Sequence, residues 1–239
     1  MRNSLVQKSG IIILLSIAVG ITAAEETGEV GISTAEQYVS QMQHAYEKVD
    51  GYTCIFLKQE RVDGELLPQE TILLKFRKPF SIYMKWIEEP NKGQEVLYRR
   101  GWNDGDLRAH PGSFPDITVN LDPTGGLAMR GNRHPVTEAG IGYTIRIVAD
   151  IVERAATHQE DSVRFYNRGI TEVKGRTARC FEAVMPPADD SPYYAHRAVI
   201  CIDQKLDLPS HVRIFDKSNT LIEEYFYIDI RINPGLADE

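Results

Sequence analysis

The sequence predicts an α+β, mainly β fold: a strongly curved antiparallel sheet of about 10–11 strands with two helices on its concave face. Three observations carry this. Apolar residues alternate at period two through Tyr52–Asn120 and again through Ser162–Ile232, in short segments bounded by turn residues. The pairs Asp63-Gly64 and Asp104-Gly105 are hairpin turn signals, and sequential strands joined by tight turns pair antiparallel. Two stretches with helical spacing, near the start and in the middle, stand apart from the strands without any strand–helix–strand alternation.

The chain opens with the three-part layout of a secretory signal. Arg2 and Lys8 precede the apolar run Ile11–Ile21, which is too short for a mature membrane span, and Thr22, Ala23 and Ala24 follow. Cleavage after Ala24 is expected, which leaves residues 25–239 as one exported domain with no Pro/Gly/Ser-rich linker to divide it. Glu25–Ile32 reads as a flexible leader. Ser33 and Glu36 form a capping-box pattern, so a helix is expected over Thr34–Val49, with Tyr38, Val39, Met42, Ala45, Tyr46 and Val49 on one stripe. Strands are expected at Tyr52–Val62, Glu70–Arg77, Phe80–Glu88, Gln94–Arg100, Asp106–His110 and Ile117–Leu121. In the second of these Ile72, Leu74 and Phe76 share a face, as do Ile82, Met84 and Trp86 in the third. Pro123–Pro135 reads as a long loop. The second helix is expected over Thr137–His158, with Ile141, Ile145, Val148, Ile151, Val152 and Ala155 at helical spacing. Strands resume at Ser162–Glu172, Arg176–Met185, Tyr194–Asp203, Ser210–Asp216 and Leu221–Ile232.

Composition and motifs narrow the function by exclusion. The formal net charge is −7, and removing Arg2 and Lys8 from the 27 basic residues leaves 25 against 34 acidic ones, a balance of −9. Such a chain is not expected to bind nucleic acid or anionic headgroups through bulk electrostatics. No G-x-S-x-G elbow, H-E-x-x-H or C-x-x-C spacing occurs, so neither a nucleophilic hydrolase nor a metal site is indicated, and no cofactor is implied. The carboxylate pairs Glu88/Glu89, Asp189/Asp190 and Glu223/Glu224 are neighbours on strands or turns and so point to opposite faces. Arg130, Arg133 and His134, in the glycine-rich loop, either meet an anion or are solvated loop charges. Cys54, Cys180 and Cys201 are too few for a disulfide scaffold. Cys180 and Cys201 flank the turn-like segment Pro186–Pro192, where a hairpin would bring them together; they are either bridged or act as small buried hydrophobes. What remains is an apolar face. Ile72, Leu74, Phe76, Ile82, Met84 and Trp86, with Val96, Tyr98, Phe226, Ile228 and Ile230, turn toward one interior that is either a filled core or a ligand cavity.

The segments Gly51-Tyr-Thr-Cys, Lys58-Gln-Glu-Arg, Leu74-Lys-Phe-Arg-Lys-Pro-Phe, Tyr83-Met-Lys-Trp, Gly93-Gln-Glu-Val-Leu-Tyr and Asn103-Asp-Gly resemble a bacterial domain-of-unknown-function family. That family is similar in layout to the LolA/LolB periplasmic lipoprotein-carrier superfamily. The end of the chain, through Ile202-Asp203, Leu208-Pro209 and Glu224-Tyr-Phe-Tyr to Asn233, fits the same layout, so the likeness spans almost all of Ala35–Leu236. The resemblance implies an unclosed barrel that shelters lipid or lipoprotein acyl chains without catalysis. Tyr38, Met42 and Tyr46 of the first helix and Ile141, Ile145 and Val148 of the second would then form the lid, and an envelope membrane protein could accept the cargo. Two other uses of this shape stay open: a LolA-like sensing or protein-interaction domain of the cell envelope, and an enzyme using the barrel pocket.

Overall fold

The computed structural model describes residues 27–158, 162–187 and 192–236. The signal-like segment and the Asp189/Asp190 pair lie outside these residues. Among the described residues no helix is long and apolar enough to cross a membrane.

The strands are β1 (Gly28–Val30), β2 (Gly51–Val62), β3 (Glu65–Leu66), β4 (Glu70–Arg77), β5 (Ser81–Trp86), β6 (Glu95–Arg99), β7 (Leu107–His110) and β8 (Val119–Leu121). After the second helix come β9 (Arg164–Val173), β10 (Arg176–Val184), β11 (Arg197–Asp203), β12 (Pro209–Phe215) and β13 (Leu221–Ile232). They form one antiparallel sheet in the order β1-β9-β10-β11-β12-β13-β2-β4-β5-β6-β7-β8, with β3 paired to β2 alone. The sheet does not close into a barrel. Nearly every neighbour in space is a neighbour in sequence, as hairpin connections dictate. The exceptions are β1 against β9, and β13 against β2, which joins the two halves of the chain at the centre of the sheet.

Turn chemistry places the hairpins. Asp63 and Gly64 both take positive φ, at 51° and 84°, as do Lys174 and Gly175 at 48° and 81°; this is the left-handed pair that a two-residue hairpin demands. Asn103, Asp104 and Gly105 instead form a short 3-10 turn between β6 and β7. Two expectations are corrected at the start of the chain. Gly28–Val30, read as flexible leader, is a strand that covers the β9 edge, with Val30 opposite Phe165. The helix α1 (Ile32–Glu47) begins two residues earlier than expected with Gly31 as its N-cap and no side-chain cap, so the Ser33/Glu36 box is not used. Val30 and Ile32 both pack on the main core, which draws the chain inward at that point.

The core lies between the inward face of the sheet and two helices. Ala35, Tyr38, Val39 and Met42 of α1 are buried, as are Ile141, Ile145, Val148 and Val152 of α2 (Ile141–Thr157), and all belong to one cluster with the inward residues of β2, β4, β5 and β10 to β12. The helices also touch each other. Helix α2 is seated by an unusual cap: the Tyr52 hydroxyl accepts the Ile141 backbone N–H at 3.0 Å. Gly140 makes this fit, because its φ is +98° and a Cβ there would stand 2.6 Å from that hydroxyl. On the outward face a satellite cluster of Val173, Ala178, Cys180 and Cys201 carries Phe226. Cys180 and Cys201 are register partners on β10 and β11, their Cα atoms 4.0 Å apart, and a disulfide joins them.

Candidate functional site

Alternation decides which side chains face inward. From Tyr52 along β2 the inward positions are Tyr52, Cys54 and Phe56, all buried in the main cluster, and the same parity continues to Lys58 and Glu60. On β4 they are Ile72, Leu74 and Phe76, on β5 Ile82, Met84 and Trp86, and on β13 Tyr225 and Tyr227. The apolar set divides. Leu74, Phe76, Ile82 and Tyr98 lie in the filled part of the core, where Tyr52 stacks on Phe76 and Phe80 packs edge-on against both Phe76 and Tyr98. Toward the other end of the strands the core opens into a cavity of about 410 Å³.

Ile72, Met84, Trp86 and Val96 line that cavity, with Phe56, Leu107, Ala198, Ile200, Val212, Ile214 and Tyr227. Its second wall is α2, through Tyr143, Thr144, Ile147, Val148, Ile151 and Arg154. The loop from Ala128 to Gly140 and the segment Pro192–Ala195 close the sides. Of the lid residues expected from the sequence, Val148 alone borders the cavity. Tyr38, Met42, Ile141 and Ile145 are packed between α1, α2 and the sheet, and Tyr46 is partly buried against that cluster. Helix α1 is therefore a plug in solid core and α2 is the wall of the hollow.

Phe226 and Ile228 are placed elsewhere than expected. Phe226 lies on the outward satellite cluster, where its ring stacks on His211 at 3.9 Å. Ile228 shares its parity. Ile230 returns to the main cluster because the β13–β2 register shifts between Ile228 and Arg231, with Asp229 at φ 53°.

One wall of the cavity is polar, built on two carboxylates that are almost wholly buried. Glu60 and Glu223 are 4 % and 3 % exposed and are register partners across β2 and β13. Glu60 accepts the Tyr225 hydroxyl and, at 2.9 Å, the Arg133 backbone N–H. Glu223 accepts Arg133 Nε at 2.9 Å, His134 Nε2 at 3.1 Å and the Tyr194 hydroxyl. The other His134 nitrogen stands 3.0 Å from Glu138, which also accepts the Tyr143 hydroxyl. A carboxylate can only accept, so an imidazole held between two of them donates from both nitrogens and is the cation. Burial by itself would lower the His134 pKa, but the bonds to Glu223 and Glu138 outweigh it and raise it above 6.5. Burial likewise pushes Glu223 up, and His134, Tyr194 and Arg133 together pull it below 4.5. Burial and the Glu138 contact push the Tyr143 hydroxyl to about 12, so it stays a donor.

Further along the same wall Lys58 Nζ donates to Glu70 at 2.7 Å and to Asn132 at 2.8 Å. Glu70 in turn accepts Trp86 Nε1 at 2.9 Å and Asn91 at 2.7 Å. Asn132, Arg133 and His134 thus latch the loop onto the sheet in three successive residues. Arg130 is exposed, and its backbone carbonyl accepts Asn132 Nδ2 at 3.2 Å. The anions that Arg133 and His134 meet are the protein's own carboxylates. The pair Glu223/Glu224 does split across the sheet, Glu224 accepting from His211 on the outer face at 2.8 Å. Sequence reasoning missed Glu60, Glu223, Tyr225 and Tyr227. Their signal was parity: charged or hydroxylated side chains at positions whose strand neighbours are buried and apolar. Among the described residues no three His, Cys, Asp or Glu side chains converge as a metal site. Cys54 is buried, and burial pushes its thiol up, which keeps it unreactive.

A family model described as protein of unknown function (DUF1571) matches residues 49–239. No curated protein is significantly similar in sequence. Among solved structures the chain is similar to the lipoprotein LppX of Mycobacterium tuberculosis, at TM-score 0.51 and 12 % identity over 87 % of this chain and 99 % of that one. It is similar to MucB at TM-score 0.51 and 13 % identity over 86 % of this chain, spanning 61 % of MucB. A LolA superfamily protein from Nitrosomonas europaea matches at TM-score 0.34 and 10 % identity over 85 % of this chain and 95 % of that one. The likenesses to LppX and MucB concern the fold.

Proposed function

The chain belongs to the DUF1571 family, and we propose that it is a non-enzymatic, exported binding or carrier protein for lipid or lipoprotein acyl chains, acting in the periplasm. The observation that carries this reading is the 410 Å³ hollow between α2 and the sheet, apolar along its depth and polar at one wall. Small-molecule sites are concave, mostly apolar and furnished with a few placed polar groups, and this hollow has that form. An acyl chain needs no catalytic group to be held, since each buried methylene contributes about 0.8 kcal/mol. The polar wall suits the head of an amphiphile, while Phe56, Ile72, Met84, Val96 and Ile200 suit its tail. The similarity in fold to a lipoprotein is consistent with an envelope setting.

The test is mass spectrometry of what co-purifies with the protein from its native envelope, together with titration of delipidated protein with a fluorescent fatty acid. A stoichiometric acyl lipid and saturable uptake are expected. An empty protein that takes up no fatty acid would remove the basis of the proposal.

A further inference from the structure

A second concavity lies at the opposite end of the sheet, about 20 Å along β4 from Glu70. There Arg77, Ser81 and Arg99 occupy one row across three strands, Arg77 facing Ser81 and Ser81 facing Arg99 in the register. Lys78 and Arg100 follow directly in the chain. With Pro79 and Phe80 these five line a pocket of about 410 Å³. Four of its seven lining residues are cations and none is acidic, in a chain whose net charge is −7. Like charges brought together repel, and the repulsion is relieved by an anion seated among them.

Two of the cations, Lys78 and Arg100, are positioned by the fold. Lys78 Nζ donates to the Tyr46 carbonyl at 2.8 Å and to the Glu47 carbonyl at 3.3 Å, the last turn of α1, and lies 4.6 Å from the Tyr46 ring centre. The Arg100 guanidinium lies 5.5 Å from the Phe80 ring centre. The Phe80 carbonyl accepts the Arg100 backbone N–H at 2.9 Å, which ties the β4–β5 turn to the end of β6. Groups held in this way lose little freedom on binding.

We propose that this pocket binds a phosphate group. The exposed guanidinium forks of Arg99 and Arg100 offer paired N–H donors that match phosphate oxygens, Arg77 and Lys78 add positive charge and Ser81 a hydroxyl. Four positive charges suit a doubly charged phosphate better than a single carboxylate. The phosphate is carried either by a small soluble ester or by a phospholipid headgroup. The site shares no residue with the acyl cavity and does not depend on that reading.

The full chain is titrated calorimetrically with inorganic phosphate and pyrophosphate. In parallel it is sedimented with phosphatidylglycerol vesicles and with phosphatidylcholine vesicles. The comparison protein is Arg99→Gln/Arg100→Gln, a double substitution at two exposed positions outside the acyl cavity, with unchanged thermal unfolding and fatty-acid uptake as the expected controls. Saturable pyrophosphate binding that the double variant weakens at least tenfold supports a soluble ester. Sedimentation with phosphatidylglycerol alone, lost in the variant, supports the headgroup. No binding in either arm, or equal binding by the variant, overturns the proposal.

Discussion

Replacing Ala198 with phenylalanine tests whether the hollow holds the ligand. Ala198 is 2 % exposed, sits between Ala183 of β10 and Ile214 of β12, and borders the cavity. At about 30 Å³ for each methylene, roughly the room of a water molecule, a volume of 410 Å³ takes about 14 methylenes. Their gross transfer is about 11 kcal/mol at about 0.8 kcal/mol each. A phenyl group pointing inward takes the place of about four methylenes, so Ala198→Phe removes about 3 kcal/mol of binding, a factor of about 200 in Kd. The ordering costs of the bound chain are common to both proteins and largely cancel in the difference. Stability should fall by less than about 1 kcal/mol, because the ring enters open space; in a packed core the same change costs about 1–3 kcal/mol. The assay is equilibrium titration with a fluorescent fatty acid beside thermal unfolding, with Ile170→Phe at a half-exposed position as control. Unchanged affinity would place the ligand elsewhere, and a large drop in Tm with no ligand present would mean that the hollow is not open.

Two further outcomes are expected. The latch formed by His134 and Glu223 should be pH-dependent. His134, raised above 6.5, stabilises fully below that pH and loses its contribution as pH rises through its folded value, whereas Glu223, depressed below 4.5, loses its contribution as pH falls through its own. The stability difference between wild type and His134→Gln should therefore be largest near pH 5.5 and shrink toward pH 9 in urea titrations; a difference constant across that range would refute the charged latch. Reduction of Cys180–Cys201, or Cys201→Ser, should cost about 3 kcal/mol, as expected for a cross-link between residues 21 apart. The check is the urea midpoint with and without reductant, and an unchanged midpoint would show that the bridge does not constrain the unfolded chain.

The fold was legible because its local rules agree. The β4 and β13 boundaries, Glu70–Arg77 and Leu221–Ile232, follow directly from alternation and turn residues. Strand β1 was not legible, because three residues covering a sheet edge carry no period of their own. Nor could alternation separate Ile72 and Met84, which border the hollow, from Leu74 and Ile82, which fill the core: both pairs satisfy the same pattern. What distinguishes them is how far α1 and Phe80 reach along the strands, a tertiary fact. Net charge was similarly blind, since −7 for the whole chain conceals four cations around one pocket.

Strand β13 shows why the polar wall in particular escaped the pattern. Hydrophobicity assigns Phe226 and Ile228 to the interior, yet Glu223, Tyr225 and Tyr227 are the residues that face it. Phe226 is accommodated outside by the disulfide cluster and His211. Inside, the Tyr225 hydroxyl finds Glu60 and the Tyr227 hydroxyl lies 3.5 Å from Thr144 on α2, so neither polar group is stranded. A buried carboxylate is tolerated only when donors surround it. For Glu60 and Glu223 the loop backbone, Arg133 and His134 supply most of those donors, from some 70 to 90 residues away. Local sequence rules fail at Glu60 and Glu223 because the partners that make these residues stable are contributed by the loop. A charged residue in register with an apolar strand face is therefore the sequence signal most worth following in such a chain: it marks where another segment must close over the sheet.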